Sequence, residues 1–295
     1  MASVRDVIRR LDELPALPES LVRVRSMLAG GDYNVAELGD VVKRDEALAA
    51  VVLRCANSAF YKSGGSVFDL NQSIVRLGAS ELMRLVTRTG VSNLLESGGR
   101  SYGLRRGHLS RSAVGGAVIA RTLASEAGGV DPELAYTCAL LRDVGKLVID
   151  LHCDAEGIDT GDPDESENED VCFLGIEKER FGFDHTEVGS ALTAHWGLPE
   201  PIPASVAYHH SPPEPGAEDH APLFDIVHAA DIVTLWAGLA IGRDGLAYRI
   251  STHVRDGMLR NRERIERLIS EAWDAASRFE QEQNDSGTDA KGVSA

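Results

Sequence analysis

No stretch of the chain is apolar for long enough to span a bilayer, although 43% of its 295 residues are hydrophobic. The opening segment, MASVRDVIRRLDELPALPES, holds neither a continuous apolar core nor a cleavage site, so it does not read as a signal peptide. The expected location is therefore the cytoplasm, with no membrane partner. Cysteine is scarce. Cys55, Cys138, Cys153 and Cys172 are the four, and none forms a C-x-x-C pair, which excludes the common zinc and redox motifs. Cys55 and Cys138 sit in apolar helical patterns and read as small buried thiols, while Cys153 and Cys172 give no reason for a disulfide in a reducing compartment. Period-2 alternation is missing at any useful length, so almost no strand is expected. Basic residues are in deficit, 30 against 46 acidic, for a net charge of -16. That balance repels phosphate backbones, so nucleic acid is not an expected partner.

What the chain does have is helical patterning from end to end. Pro18 suits a first helical turn, and Leu21, Val24 and Leu28 follow it at helical spacing before Gly30-Gly31. Asn34 stands three residues before Glu37, a capping-box pattern ahead of Leu38, Val41 and Val42. Asp45 caps the next helix, whose buried face is Leu48, Val51, Val52 and Cys55. Phe60 and Tyr61 follow, read as packing residues ahead of a partner surface. Asp69 and Gln72 open another helix, punctuated by Gly78. A Gly- and Arg-rich link, ESGGRSYGLRRGH at 96–108, then separates two helical halves. Asp131 and Pro132 start VDPELAYTCALLRDVGKLVIDLH, and Asp184 with Glu187 makes a further capping box. Residues 154–170 are almost all acidic or turn-forming and read as a solvated loop, without the spacing of a calcium loop.

Three blocks stand out in order along the chain. The first runs from LPALPESLVRV through LRCANSAFY to SIVRLGASEL; the second is LLRDVGKLV; the third runs from FGFDHTEVGSALTAHWGLP to VAYHHSP. Together they resemble the HDOD family, a bacterial signalling domain related to the HD-type metal-dependent phosphohydrolases. The resemblance implies an all-α, two-part fold. The HDOD domain would cover 11–212, divided into an N-terminal helical half at 11–100 and an HD-like half at 105–212. Helices of 213–282 would pack on the HD-like half, and 283–295 would be a disordered tail. It also implies a regulatory role without catalysis, exercised on a signalling protein partner or a nucleotide-like small ligand. Oligomeric state stays open. Relatives are often fused to output domains, and none fits in the remaining length of this chain.

The relatives bind divalent metal through a first His, an adjacent His-Asp and a distant Asp, and the metal acidifies water and stabilises phosphoryl charge. Here the pattern is broken twice. Ser112 falls where the first His belongs, and Arg142 replaces the second. Arginine stays protonated and cannot ligate a metal. Asp143 and Asp231 persist. Two acids in one buried pocket would resist ionisation, and a guanidinium between them would offset that, so Arg142 is expected to bridge them; the alternative is an Arg142 that points to solvent. His108, one turn before Ser112, could share its face, or could be a linker residue. Lys146 could meet phosphate, or could be a solvated lysine at a helix end, and Gly145 allows close helix approach. His185, His209 and His210 complete the degenerate pocket. The expectation is no catalytic residue and no cofactor. The alternative is a divergent phosphohydrolase acting on nucleotides, with a divalent metal such as Mg or Mn on Asp143, Asp231, His185, His209 and His108.

Overall fold

The computed structural model describes residues 17–29, 31, 33–58, 60–61, 65, 67–158, 173–239 and 250–289. Among them every regular element is helical and no strand occurs. They fall into two compact units, Ala16–Asn93 together with the residues from Glu280, and Leu94–Phe279.

The first unit holds α1 (Glu19–Ala29), α2 (Val35–Lys43), α3 (Glu46–Ala56) and most of α4 (Leu70–Leu95). The starts of α2, α3 and α4 are set by a local carboxylate or amide, Asn34, Asp45 and Asp69. Asn34 Oδ1 accepts from the Ala36 N–H at 2.9 Å, which supplies the cap of α2. Asp45 caps α3 through the Leu48 N–H at 3.0 Å, and its other oxygen takes the Ser20 hydroxyl at 3.0 Å, which ties α1 to α3. Asn57 pairs with the Val67 backbone in both directions, each at 2.7 Å, and so fixes the turn after α3. Gly78 breaks α4 with φ 78°, a left-handed value that a side chain would strain. Gly39 is buried against Asn71, and a Cβ there would lie 1.9 Å from Asn71 Oδ1. Phe60 and Phe68 are 87% and 89% exposed, against the packing role expected of Phe60, whose ring contact is edge-to-face with Tyr61 at 4.8 Å. Cys55 is half-buried rather than buried, because its sulfur turns to Glu81 at 3.6 Å.

The second unit contains α5 (His108–Ala127), α6 (Pro132–Leu141), α7 (Gly145–Glu156), α8 (Phe173–Phe181), α9 (His185–His195), α10 (Pro201–Tyr208), α11 (Ala221–Trp236), α12 (Thr252–Met258) and most of α13 (Arg262–Asp289). α5 packs on α6 and α11, α10 on α6, and α9 on both α10 and α7. Asp131 and Pro132 begin α6, and the Asp184–Glu187 capping box begins α9 with both reciprocal bonds present. α13 meets α5, where Thr122 donates to Glu271 at 3.0 Å, and the end of α11, where the Trp273 indole donates to the Ala237 carbonyl at 2.9 Å. Among the described residues no helix is long and apolar enough to cross a membrane.

Two boundaries differ from the sequence reading. The acidic segment begins as helix, since Asp154–Glu156 close α7; residues 159–172, with Cys172, lie outside the described residues. α13 continues to Asp289 across residues expected in the tail, because each residue added to a formed helix gains a hydrogen bond. Residues 290–295 lie outside the described set.

The 96–108 link belongs to the second unit and is not a free hinge. Buried Asp150 of α7 accepts the backbone N–H groups of Gly99, Arg100 and Ser101 at 2.5, 3.1 and 2.8 Å. One carboxylate thus caps the 3-10 turn Arg100–Tyr102 and lays the link on the helix that follows the RDVGK motif. Asp150→Ala would leave three N–H groups without that acceptor and should cost about 1–3 kcal/mol. The check is a lowered thermal midpoint by circular dichroism; an unchanged midpoint would mean that Asp150 anchors nothing.

Candidate functional site

LLRDVGK does not run as one helix. α6 ends at Leu141, residues 142–144 form a turn with i→i-3 bonds, and α7 begins at Gly145. The turn keeps helical dihedrals but rotates the chain, so Arg142 and Asp143 both point inward. Gly145 makes the rotation feasible: a Cβ there would lie 1.9 Å from the His185 carbonyl, so only glycine lets α7 start against α9.

Arg142 has 0% exposure. Its Nε donates to Asp231 Oδ1 at 2.8 Å and lies 3.3 Å from Asp143 Oδ2. Nη1 donates to the Ala139 carbonyl at 2.9 Å, at the C-terminal end of α6 where the helix dipole favours a cation. Nη2 donates to the Ser112 hydroxyl at 2.8 Å. Arg142 therefore does not point to solvent; it sits between both acids and against Ser112. Room for it comes from α5, where a Cβ on Gly116 would stand 2.5 Å from Nη1.

Lys146 is buried as well, with Nζ 2.9 Å from Asp143 Oδ1 and 5.3 Å from the centre of the Tyr102 ring. It is not the solvated lysine of the sequence alternative. Burial works against the charge on Asp143, but Lys146 and Arg142 outweigh it and hold the carboxyl well below the usual carboxylate range.

On the other side of Asp143 stand three buried imidazoles. His185 turns Nδ1 to Glu177, 2.9 Å from both oxygens, and its backbone N–H donates to Glu177 at 2.7 Å. Tyr102 donates to the same carboxylate at 2.5 Å. Burial pushes the His185 pKa down, yet Glu177 more than offsets this and raises it. His209 donates Nδ1–H to the Val206 carbonyl at 2.7 Å, and burial lowers its pKa to about 4, so it is neutral. Its Nε2, fully buried, has no hydrogen-bond partner among the described residues. His210 places Nδ1 3.4 Å from Asp231 Oδ2 and Nε2 3.1 Å from His185 Nε2. Burial first, then the neighbouring histidines, depress its pKa well below the usual value.

Four of these side chains, Asp143, His185, His209 and His210, can each offer one ligand atom within 4.8 Å of all the others. His108 and Asp231 are outside that set. His108 is half-buried at the first residue of α5, and Asp231 turns Oδ1 to Arg142 while its Oδ2 stands 3.4 Å from Nδ1 of His210. Three imidazoles and one carboxylate suit zinc, cobalt, nickel or ferrous iron and not magnesium, a hard ion that takes oxygen. The behaviour of the rings fits such an ion. His185 carries a carboxylate and His209 a carbonyl on Nδ1, the outer-shell partners that orient a ligating imidazole. Glu177 and Tyr102 had no mark in the sequence, where GIEKERF reads as an ordinary charged helix; the only available signal was nearness to DHTE.

The HDOD domain profile matches residues 14–212. An HDOD domain protein of unknown function from Geobacter sulfurreducens has a similar structure, with TM-score 0.65 and 23% identity over 97% of this chain and 94% of that one. A protein from Marinobacter aquaeolei VT8, whose name proposes a role in signal transduction, has TM-score 0.64 and 22% identity over 92% of this chain and 60% of that one. A Shewanella amazonensis SB2B protein, whose name proposes a metal-dependent phosphohydrolase, has TM-score 0.54 and 14% identity over 91% and 97%. An uncharacterized protein of Treponema pallidum (strain Nichols) is 25% identical over 231 residues, which are 78% of this chain and 43% of that protein, so the chain spans less than half the length of that relative. With the profile covering most of its length and an all-helical architecture among the described residues, this chain belongs to the HDOD family.

Proposed function

We propose that this protein is a non-catalytic, cytoplasmic regulatory module of the HDOD family that acts by binding a signalling protein partner. The observation that carries the reading is the buried Arg142, whose Nε stands 2.8 Å from one acid and 3.3 Å from the other. In a hydrolase those two acids hold a cation that activates water. Here a fixed guanidinium supplies the positive charge, and it has no coordination position to offer a water or a phosphoryl oxygen. The partner arm is favoured over a nucleotide-like ligand because the pocket side chains are already packed on one another at 7% exposure or less. Exposed Phe60 and Phe68 in the first unit add apolar surface of the kind that partners cover. Within this reading the functional domain is the 11–212 region, with the helices after it as its support.

Two outcomes check it. The purified chain, assayed with nucleotide phosphomonoesters and phosphodiesters in the presence of Mn or Mg, should show no turnover above buffer. Metal-stimulated turnover that disappears in Asp143→Asn would establish the phosphohydrolase alternative instead.

The second outcome concerns the charge balance. Arg142→Met should cost about 3–5 kcal/mol, because it leaves Asp231 buried without its cation. Adding Asp231→Leu should recover part of that loss. Chemical denaturation of both variants makes the comparison, and a double variant no more stable than Arg142→Met would sever the proposed link.

A further inference from the structure

One side of α10 is covered and the other is open. Ile202, Ser205 and Val206 are buried against the core, while Pro203, Ala204 and Ala207 are half-buried on the opposite side. These three small residues line a groove of about 680 Å³ between the end of α9, α10 and the segment that leads into α11. Leu198, Tyr208 and Phe224 extend the apolar lining. Phe224 is buried, and its ring centre lies 5.2 Å from that of Tyr208, so the aromatic wall is anchored in the core.

The rim has one sign of charge in excess. Glu200, Glu218 and Asp219 stand around the groove and all three are exposed. Glu200 lies 3.6 Å from His220, while Glu218 and Asp219 form no ion pair among the described residues. Small-molecule sites bring polar groups together inside the cavity, whereas here every charged lining residue is at the exposed edge. An amphipathic helix is the better occupant of such a shape, since its apolar anchors at i, i+3, i+4 and i+7 enter an open groove from above. Ala204 and Ala207 end at Cβ and leave depth for those anchors. The unpaired acids then select basic residues beside them.

We infer that this groove receives a helical segment of the signalling partner, one whose apolar face is flanked by lysine or arginine. The inference rests on the partner-binding reading above and gives that partner a surface and a chemistry. Other occupants meet like charge. The chain's own 159–172 segment carries acids and no base, and a second copy brings a further net charge of -16.

The probe is a labelled peptide of leucine and lysine at helical spacing, titrated into the full chain by fluorescence anisotropy. Two controls accompany it: the same composition in scrambled order, and a version with glutamate for lysine. The leucine–lysine helix should bind, the scrambled peptide more weakly, and the glutamate version not at all. Ala207→Arg, which puts bulk and like charge in the groove, should weaken binding by about tenfold or more. Glu218→Lys with Asp219→Lys should weaken it by about tenfold and flatten its dependence on salt. Glu263→Lys with Glu266→Lys, the same charge change on α13, should leave it unaltered. Bound peptide should slow amide hydrogen exchange over 194–208 and 218–224. Circular dichroism identifies variants that fold, and the Glu218 and Asp219 changes stand on exposed positions before α11. No binding by the leucine–lysine helix would overturn the inference. So would equal binding by the scrambled peptide, or equal weakening by the α13 changes, since either would mean charge alone. A dimer in light scattering that folded Ala207→Arg splits would assign the groove to a second copy and overturn it as well. Failure here removes the groove and leaves the non-catalytic reading intact, which only phosphoester turnover would remove.

Discussion

A guanidinium with no exposed surface governs the second unit. Burying an unpaired charge costs several kcal/mol, so every element around Arg142 must answer it. α11 provides Asp231, α5 provides the Ser112 hydroxyl and the gap at Gly116, and α6 provides the Ala139 carbonyl. These contacts fix the side chain in three directions, and they fix the helices against one another. The packing of α5 on both α6 and α11 is thus an electrostatic requirement as much as an apolar one.

Charge continues outward in alternation. Asp143 stands between Arg142 and Lys146 on one side and His185 on the other, and Glu177 stands behind His185. Each charge is placed beside its opposite, which is how so many ionisable groups coexist at such low exposure. The chain reaches Tyr102 in the 96–108 link, and Asp150 holds the same link by its backbone. Helix, link and pocket therefore share one polar framework.

Much of this was legible in the sequence, for reasons of range. Caps such as Asp45, Asp131 and Asp184 act over two or three residues, so their signal is local and each carried through. The pairing of Arg142 with Asp231 spans 89 residues and was reachable only because the blocks around both resemble those of a known family. Glu177 shows where that reasoning ended. A glutamate in a charged helix looks solvated, and only the return of α9 against α8 turns it inward. His108 was open to two readings, sharing the face of Ser112 or belonging to the link, and it stands half-buried at the first residue of α5.

Gly116 ties the arginine site to a second position. A methyl group at 116 would overlap the guanidinium, so an alanine and Arg142 cannot occupy their present positions together. A shorter side chain at 142 would in turn leave a void beside the glycine, and a buried void has its own cost. Positions 116 and 142 lie on different helices yet cannot be exchanged independently. What fits at either position is set by what stands at the other, so the buried charge of the second unit depends on a residue that carries no side chain at all.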